Sequence, residues 1–308
     1  MKYYYCFSSK NNLFKEEIEF ARILDLLIIY DFEKDIFLDK DNNEINIKDM
    51  LILPRTTIKD ALNLLDAIKR HGGNSLVSKE DYHKTLNWPY YIKTKRNNII
   101  LTGREIISNP KFIIGMFGMD KVFFKTKNKN FSGVVEVSEL LDNNSPFYFA
   151  LKEHLDEDFI ISSFVNIEKD QDGLLEYRAF IINGEIHNIS RNSDSLLSDI
   201  PNEVITELEN IVKNLKKTDF PNSYVLDLIV YSDLFWNKTI DVLECNPIIA
   251  SRAYCTINTT KPSIFYSLPG GFASSLISFY SYDSNYKYEE TRDINTRKLL
   301  NDNCCRKR

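Results

Sequence analysis

The hydrophobic positions in the first third of the chain alternate between two periods. Short apolar runs that are typical of strands are separated by stretches in which apolar residues recur at helical spacing. The third strand is expected to stop at Pro54, and the helix after it ends in Gly72 and Gly73, a common C-terminal signal. This alternation predicts a small α/β domain over residues 1–105. The predicted elements are strands at 2–7, 25–30 and 49–55 and helices at 14–23 and 58–73.

From residue 109 onward the pattern predicts antiparallel hairpins. Residues 175–192 form two apolar runs around Asn183 and Gly184, the strongest two-residue turn signal. A second hairpin is predicted at 224–247, and an amphipathic helix begins near Pro201. We therefore expect an α+β region of two subdomains followed by a polar tail. The expected boundaries are 106–165 and 166–280 for the subdomains and 281–308 for the tail.

Composition and charge argue against several classes of protein. The formal net charge is −5, so no overall basic field favours nucleic acid. No apolar run approaches the ~20 residues that a membrane-spanning helix needs. The five cysteines are an odd number at wide spacing and include no CxxC pair, which argues against a disulfide framework and a zinc site. We expect a cytoplasmic protein that binds neither nucleic acid nor a membrane.

The second predicted hairpin concentrates oxygen ligands at one end. Glu244 and Asn246 are two residues apart in a strand, so their side chains point to the same side. Asp227 lies in an apolar strand, and antiparallel pairing would bring it level with Glu244. Three such oxygen ligands could hold Mg2+. The alternatives are a solvated acid with a turn asparagine before Pro247, and an Asp227 that is salt-bridged to a lysine.

Cationic residues occur upstream of these acids, mostly on predicted strands. Arg178 and Arg191 lie on the two arms of the first hairpin, where a rigid arginine offers a planar fork for phosphate oxygens. Lys125 is flanked by aromatic residues within a strand, and Lys129 follows in the turn before Gly133. Each residue alone is better explained as a solvated charge. Together they predict a phosphate site, although the chain has no Walker lysine loop and no GxGxxG motif.

The order of these features resembles the ATP-grasp superfamily over roughly residues 110–250. The segment 121–135 looks like the lysine strand and phosphate loop of that superfamily, 158–168 looks like its hinge, and 239–247 looks like its metal strand. The resemblance implies an α/β N-terminal domain followed by an α+β ATP-grasp fold, in which two subdomains with antiparallel sheets clamp ATP. The subdomain at 106–165 would then carry the lysine strand and hinge, and the other subdomain the metal site.

Within the superfamily, residues 176–191 resemble in particular the clade called R2K and the eukaryotic Cdc123 proteins. Those proteins carry an E-x-R-x-F segment, a short turn and an I-S-x-R end. This chain departs from the pattern in three ways. Glu244 stands where Cdc123 proteins have aspartate, the phosphate loop is poor in glycine, and Ser163 occupies the position of the usual hinge acid, for which Glu168 is the substitute.

The resemblance implies a role for each candidate residue. Lys125 and Lys129 would contact the α and β phosphates, and the hinge residues Phe164, Val165 and Glu168 would contact the adenosine. Arg178 and Arg191 would bind the γ phosphate and stabilise the transferred charge, and Asp227, Glu244 and Asn246 would hold Mg2+. Arg55 and Arg252 would bind the acceptor carboxylate.

The function implied by the resemblance is that of a ligase that uses ATP and Mg2+. Such an enzyme joins a small-molecule or peptide carboxylate to an amine or a thiol through an acylphosphate, and it needs no side-chain nucleophile. Two alternatives stay open on sequence alone. One is a Cdc123-like ATP-binding assembly factor for a protein partner, and the other is a small-molecule kinase with a hydroxyl acceptor.

Overall fold

The structure is a computed structural model of the 308-residue chain. The expected helix at 14–23 lies largely outside the residues that it describes, and Arg252 and the expected tail at 281–308 lie wholly outside them. No helix within the described ranges is long and apolar enough to cross a membrane. The described residues are 3–9, 18, 21–22, 25–118, 121–171, 173–191, 200–233 and 235–251.

The N-terminal region forms a five-stranded, mostly parallel sheet in the order β3-β2-β1-β4-β5. The three predicted strands are confirmed, whereas β3 and β5, of three and two residues, were not predicted. Pro54 does not end its strand. Because β5 pairs only with Leu51 and Ile52, no strand of the described residues lies beside Pro54 on that side of β4, and a residue without an N–H is tolerated there. The elements are β1 (Tyr3–Ser8), β2 (Leu27–Asp31), β3 (Ile36–Leu38), β4 (Leu51–Arg55), α1 (Ala61–Arg70), β5 (Asn74–Ser75) and α2 (Lys79–Leu86).

The second sheet is antiparallel, with the order β6-β9-β7-β8. In β7, Val122, Phe124 and Thr126 are buried, whereas Phe123 and Lys125 are only partly buried. This period of two puts Lys125 on the face opposite the aromatic core. The elements are β6 (Asn98–Thr102), α3 (Gly103–Ser108), α4 (Pro110–Phe117), β7 (Lys121–Thr126), β8 (Ser132–Glu136), α5 (Val137–Leu141), α6 (Pro146–Glu153) and β9 (Asp158–Ser163).

The third sheet is also antiparallel, and its order is β13-β12-β14-β15. Both predicted hairpins are present. Asn183 and Gly184 have φ angles of 51° and 76°, as a tight hairpin turn requires. The elements are the short pair β10 (Lys169–Asp170) and β11 (Gly173–Leu174), then β12 (Glu176–Ile182), β13 (Glu185–Arg191), α7 (Asn202–Leu215), β14 (Tyr224–Ser232) and β15 (Lys238–Asn246), followed by one 3-10 turn (Ile248–Ala250).

The two faces of the third sheet pack against different partners. Tyr177, Leu226 and Leu228 form a core with the buried side of α7. On the opposite face, Phe180 and Val225 pack against apolar residues of the N-terminal sheet. Side chains in a strand alternate between the two faces, so the face of Phe180 and Val225 also carries Arg178 and Asp227, two positions farther along.

Candidate active site

Asp227, Glu244 and Asn246 come together at the end of the second hairpin, as the sequence predicted. The register pairs Asp227 with Glu244 and Val225 with Asn246. Asn246 Nδ2 donates to Asp227 Oδ2 at 3.0 Å and to Glu244 Oε1 at 2.8 Å. Asp227 and Asn246 are buried and Glu244 is partly buried. The three side chains therefore share one face of the sheet and contact one another.

Two lysines of the second sheet reach across to this group. Lys125 forms an ion pair with Glu244. Lys129 Nζ lies 2.5 Å from Asn246 Oδ1 and 3.4 Å from Glu244 Oε1. These contacts connect the β7–β8 hairpin to the end of β15. Two lysines from one sheet thus meet oxygen ligands from another sheet, far away along the chain.

Arg178 completes the group from β12. Its Nε and Nη2 donate to the two carboxylate oxygens of Asp227 at 2.7 and 2.6 Å. The pair lies directly opposite in register, with Arg178 facing Asp227. A bidentate arginine explains how a carboxylate is accommodated in an apolar strand. Asp227 therefore forms a salt bridge, as the alternative prediction held, but with an arginine and not a lysine. The same carboxylate also contacts Asn246 of the cluster of oxygen ligands.

Three cations, Lys125, Lys129 and Arg178, lie against the two carboxylates of Asp227 and Glu244. Burial lowers the pKa of Lys125, and the positive charges of Lys129, Arg178 and Arg96 lower it further. Burial also lowers the pKa of Lys129, with Arg178 contributing in the same direction. An added polyanion would relieve this repulsion among cations. The cluster of Lys125, Lys129, Arg178, Asp227, Glu244 and Asn246 is called the six-residue cluster below.

Arg191 lies away from the six-residue cluster, contrary to the expectation that both arginines face one phosphate. Its register partner is Tyr177, a fully buried core residue, whereas Arg178 lies one position along the strand and points to the other face. Arg191 Nη1 and Nη2 bind the carboxylate of Asp170 at 2.8 and 2.5 Å, and Nη2 also donates to the carbonyl oxygen of Gly173 at 3.0 Å. The described contacts of Arg191 thus hold the short β10–β11 hairpin.

The expected hinge residues lie where the chain passes from the second sheet to the third. Phe164 and Val165 follow β9 and precede Ile167, which forms an isolated bridge with Tyr231 of β14. Glu168 N donates to Val230 O at 2.8 Å, and the carboxylate of Glu168 accepts from Ser232 Oγ at 2.7 Å. The proposed contacts of these residues with adenosine stay predictions.

Arg55 is not a surface arginine. It is fully buried and donates hydrogen bonds to the carbonyl oxygens of Ile248 and Ser251. These bonds connect β4 to the segment that follows β15. A role of Arg55 in binding an acceptor carboxylate stays a prediction, as does that of Arg252, which lies outside the described residues.

Sequence reasoning missed a buried ion pair beside the cluster. Arg96 and Asp241 are 8% and 4% exposed, and Arg96 Nε lies 3.6 Å from Asp241 Oδ2. Burial raises the pKa of Asp241 and lowers that of Arg96. Asp241 lies within the apolar run 240–243, and a carboxylate in such a run is the same signal that identified Asp227. Arg96 lies in the polar segment KTKRNN, where nothing distinguishes it from its neighbours.

The donor set fits a hard divalent cation with bound phosphates. Asp227 and Glu244 supply carboxylate oxygens, and Asn246 adds an amide whose nitrogen faces both of them. A half turn of that amide would present its oxygen instead. Three cations adjoin these ligands, which suits phosphate oxygens. Among the described residues, no group of three or more His, Cys, Asp and Glu side chains forms a metal site of its own.

Comparisons with known proteins bear on the fold. No family model matches the chain, and no curated protein matches it. The alignment with the structure of a D-cycloserine synthetase covers 90% of this chain and 99% of the synthetase chain, with a TM-score of 0.57 and 11% identity. The alignment with the D-alanyl-alanine synthetase A from Vibrio cholerae covers 91% of this chain and 98% of the synthetase chain, with a TM-score of 0.55 and 12% identity. At these identities the likeness concerns the fold, and it confirms that the chain has an α/β N-terminal domain followed by an ATP-grasp fold.

Proposed function

We propose that this chain is an ATP- and Mg2+-dependent ligase that joins a carboxylate to an amine or a thiol. The observation that carries the proposal is the six-residue cluster, in which three cations meet two carboxylates and an amide between two antiparallel sheets. The fold supports it, since both solved structures named above are of synthetases. The finer resemblance to the R2K and Cdc123 proteins belongs to this proposal and rests on the sequence motif alone.

The cluster supplies both halves of a nucleotide site. Asp227, Glu244 and Asn246 would hold Mg2+, which neutralises charge on the phosphate oxygens. Lys125 and Lys129 would bind the α and β phosphates. In the structure these lysines are paired with the same oxygen ligands that the metal would need. Binding of the metal and the nucleotide together would exchange one set of charge pairs for another, so that no buried charge is left without a partner.

Arg178 is proposed to meet the γ phosphate, where charge moves during transfer. In the reaction, a carboxylate oxygen of the substrate attacks the γ phosphorus and ADP leaves. The amine or thiol then attacks the acyl carbon, loses a proton, and inorganic phosphate leaves. The chain's contribution is to hold the reactants in line, to neutralise charge and to exclude water.

The remaining candidate residues complete the proposal. The backbone of Phe164 and Val165 would bind adenine, and Glu168 the ribose. Arg55 and Arg252 are the candidates for the acceptor carboxylate, although Arg55 already donates to two backbone carbonyl oxygens. Arg191 is left out of the reacting group, because its described contacts are with the β10–β11 hairpin.

A substrate panel tests the proposed reaction. Purified protein is incubated with ATP and Mg2+ and with carboxylates and amines, each class alone and both together, and ADP and phosphate are measured. Release that requires both classes supports the ligase. Release with a hydroxyl acceptor alone would indicate a kinase instead. Nucleotide binding without turnover across the panel would favour the Cdc123-like assembly factor.

A further inference from the structure

The strand that carries Glu244 and Asn246 contains one residue more than its partner strand. The register between β14 and β15 pairs Leu228 with Val242, and the next pair is Asp227 with Glu244. Leu243 is therefore an extra residue in β15, in the manner of a β-bulge. One extra residue moves every following side chain to the opposite face of the sheet.

This extra residue decides where the proposed metal ligands point. Without it, the register from Leu228 onward would set Glu244 opposite Leu226, which packs in the core against α7. Both Glu244 and Asn246 would then be turned toward that core. With it, Cys245 takes the core position opposite Leu226, and Glu244 faces Asp227. The six-residue cluster thus depends on the bulge at Leu243.

Arg96 binds the backbone at this bulge. Its Nη2 donates to the carbonyl oxygens of Val242 at 3.0 Å and Leu243 at 2.5 Å. A bulge interrupts the ladder of a sheet, and buried carbonyl groups need other donors there. The guanidinium supplies a donor to two successive carbonyl groups from one rigid, buried side chain.

Asp241 fixes Arg96 in turn. Its carboxylate accepts hydrogen bonds from the backbone N–H groups of Lys95 at 3.0 Å and Arg96 at 3.2 Å. The next residue, Asn97, accepts a hydrogen bond at its carbonyl oxygen from Ser163 N, at the end of β9. The segment from Lys95 to Asn97 therefore connects the bulge in the third sheet to the second sheet, directly before the hinge residues.

We propose that Arg96 is a positioning residue that fixes the bulge at Leu243 and so orients Glu244 and Asn246 toward the metal and nucleotide. Asp241 is its counterion. The expected effect of Arg96 on metal and nucleotide binding rests on the proposed function, whereas its expected effect on the bulge does not. The two are tested by separate measurements on the full chain.

The variant Arg96→Met removes the guanidinium but keeps an unbranched apolar stem. Lys95→Met is the matched control, because Lys95 Nζ also donates to a β15 carbonyl, that of Ile240 at 2.8 Å, outside the bulge. Without nucleotide, we expect faster amide hydrogen exchange at residues 243–246 in Arg96→Met and not in Lys95→Met. Unchanged exchange in Arg96→Met would overturn the proposal.

The second measurement titrates Mg2+ at fixed ATP and follows the melting temperature. Loss of a group that orients metal ligands costs about 10- to 100-fold in metal affinity. We expect Arg96→Met to need about 10- to 100-fold more Mg2+ than the parent to reach half of the full rise in melting temperature. Arg96→Lys should recover part of this loss, and the Mg2+ requirement of Lys95→Met should match that of the parent within about twofold. An equal Mg2+ requirement in Arg96→Met and the parent would overturn the positioning role.

The outcomes separate the two claims. A parent that does not respond to Mg2+ with ATP contradicts the proposed function, and hydrogen exchange still decides the claim about the bulge. If Arg96→Met does not fold, Arg96→Lys and Asp241→Asn carry both measurements, because each retains a polar side chain at the site. These variants would contradict the proposal if their melting temperature fell while their amide hydrogen exchange and their Mg2+ requirement stayed equal to those of the parent.

Discussion

The two hairpins of the third sheet each carry one extra residue, with opposite consequences. In β15 the extra residue is Leu243, and it turns Glu244 toward the six-residue cluster. In β13 the register shifts between the pairs Ile181–Ile186 and Phe180–Asn188, so His187 is extra. That shift turns Arg191 away from the face of Arg178. A single residue in each hairpin thus decides which charged side chains meet.

The residues that would build the site and those that hold the fold lie on opposite faces of the third sheet. The face that carries Arg178 and Asp227 is polar where the strands meet the second sheet. The opposite face is apolar against α7 and accommodates Arg191 only at its edge, paired with Asp170. Changes on the first face should affect ligand binding most, and changes on the second should affect stability most.

The largest effect is expected for Glu244→Gln. This change keeps the shape of the side chain but removes the charge that would face Mg2+ and that now pairs with Lys125. We expect a folded protein whose ATP-dependent turnover falls by about 100-fold or more, since loss of a group that only orients a metal ligand already costs about 10- to 100-fold and Glu244 would be a direct ligand. Turnover and circular dichroism measure the two properties. Parental turnover would remove Glu244 from the metal site.

Arg178→Met should affect both turnover and stability. It leaves the buried Asp227 carboxylate without its bidentate partner, which costs about 3–5 kcal/mol in free energy of unfolding. Denaturant unfolding with and without Mg2+ measures the loss, and added Mg2+ should restore part of it by replacing the missing cation. The double variant with Asp227→Asn is the control. It should regain stability but not turnover, whereas turnover at the parental rate in Arg178→Met would exclude Arg178 from the reaction.

Leu228→Ala tests the opposite face of the same strand. Leu228 is fully buried against α7, and its truncation should lower the free energy of unfolding by about 2–5 kcal/mol. Because Leu228 points away from the cluster, the Mg2+ requirement of the folded protein should stay within about twofold of the parent. A large change in that requirement at permissive temperature would show that the two faces are not separable.

The smallest effect on activity is expected for Arg191→Met. This variant loses an ion pair and hydrogen bonds that hold the β10–β11 hairpin, so stability should fall by about 1–2 kcal/mol. Turnover should change by much less than in Arg178→Met. Equal losses of turnover in the two arginine variants would mean that Arg191 reaches the reacting group despite its place on the other face.

The sequence predicted the hairpins, because strand periodicity and turn signals are local. It also predicted the convergence of Asp227, Glu244 and Asn246, but not the extra residue Leu243 on which that convergence depends. It did not predict that Arg178 and Arg191 point to opposite faces. That outcome depends on one extra residue at His187, and no local pattern marks it. The segment before β6 was missed for a related reason: Arg96 acts on carbonyl groups of a strand about 146 residues away, and only the fold brings them together.

The fold itself was predicted better than the site. Alternating strands and helices identified the N-terminal sheet, and the resemblance of residues 110–250 identified the rest. The contacts of Arg55 could not be predicted, because they join β4 to a segment 193 residues later in the chain. Long-range pairings of this kind are set by how the sheets pack and not by any spacing in the sequence.

The six-residue cluster is proposed to bind ATP together with Mg2+. The most direct test is the melting temperature of the parent chain in millimolar ATP with and without Mg2+, with Mg2+ alone and Mg2+ with GTP as controls. A ligand that binds only the folded state raises that temperature by mass action. We expect a clear rise with ATP and Mg2+ together, a smaller rise with ATP alone, and little rise with GTP and Mg2+. No rise with ATP and Mg2+ at millimolar concentration would contradict the proposal.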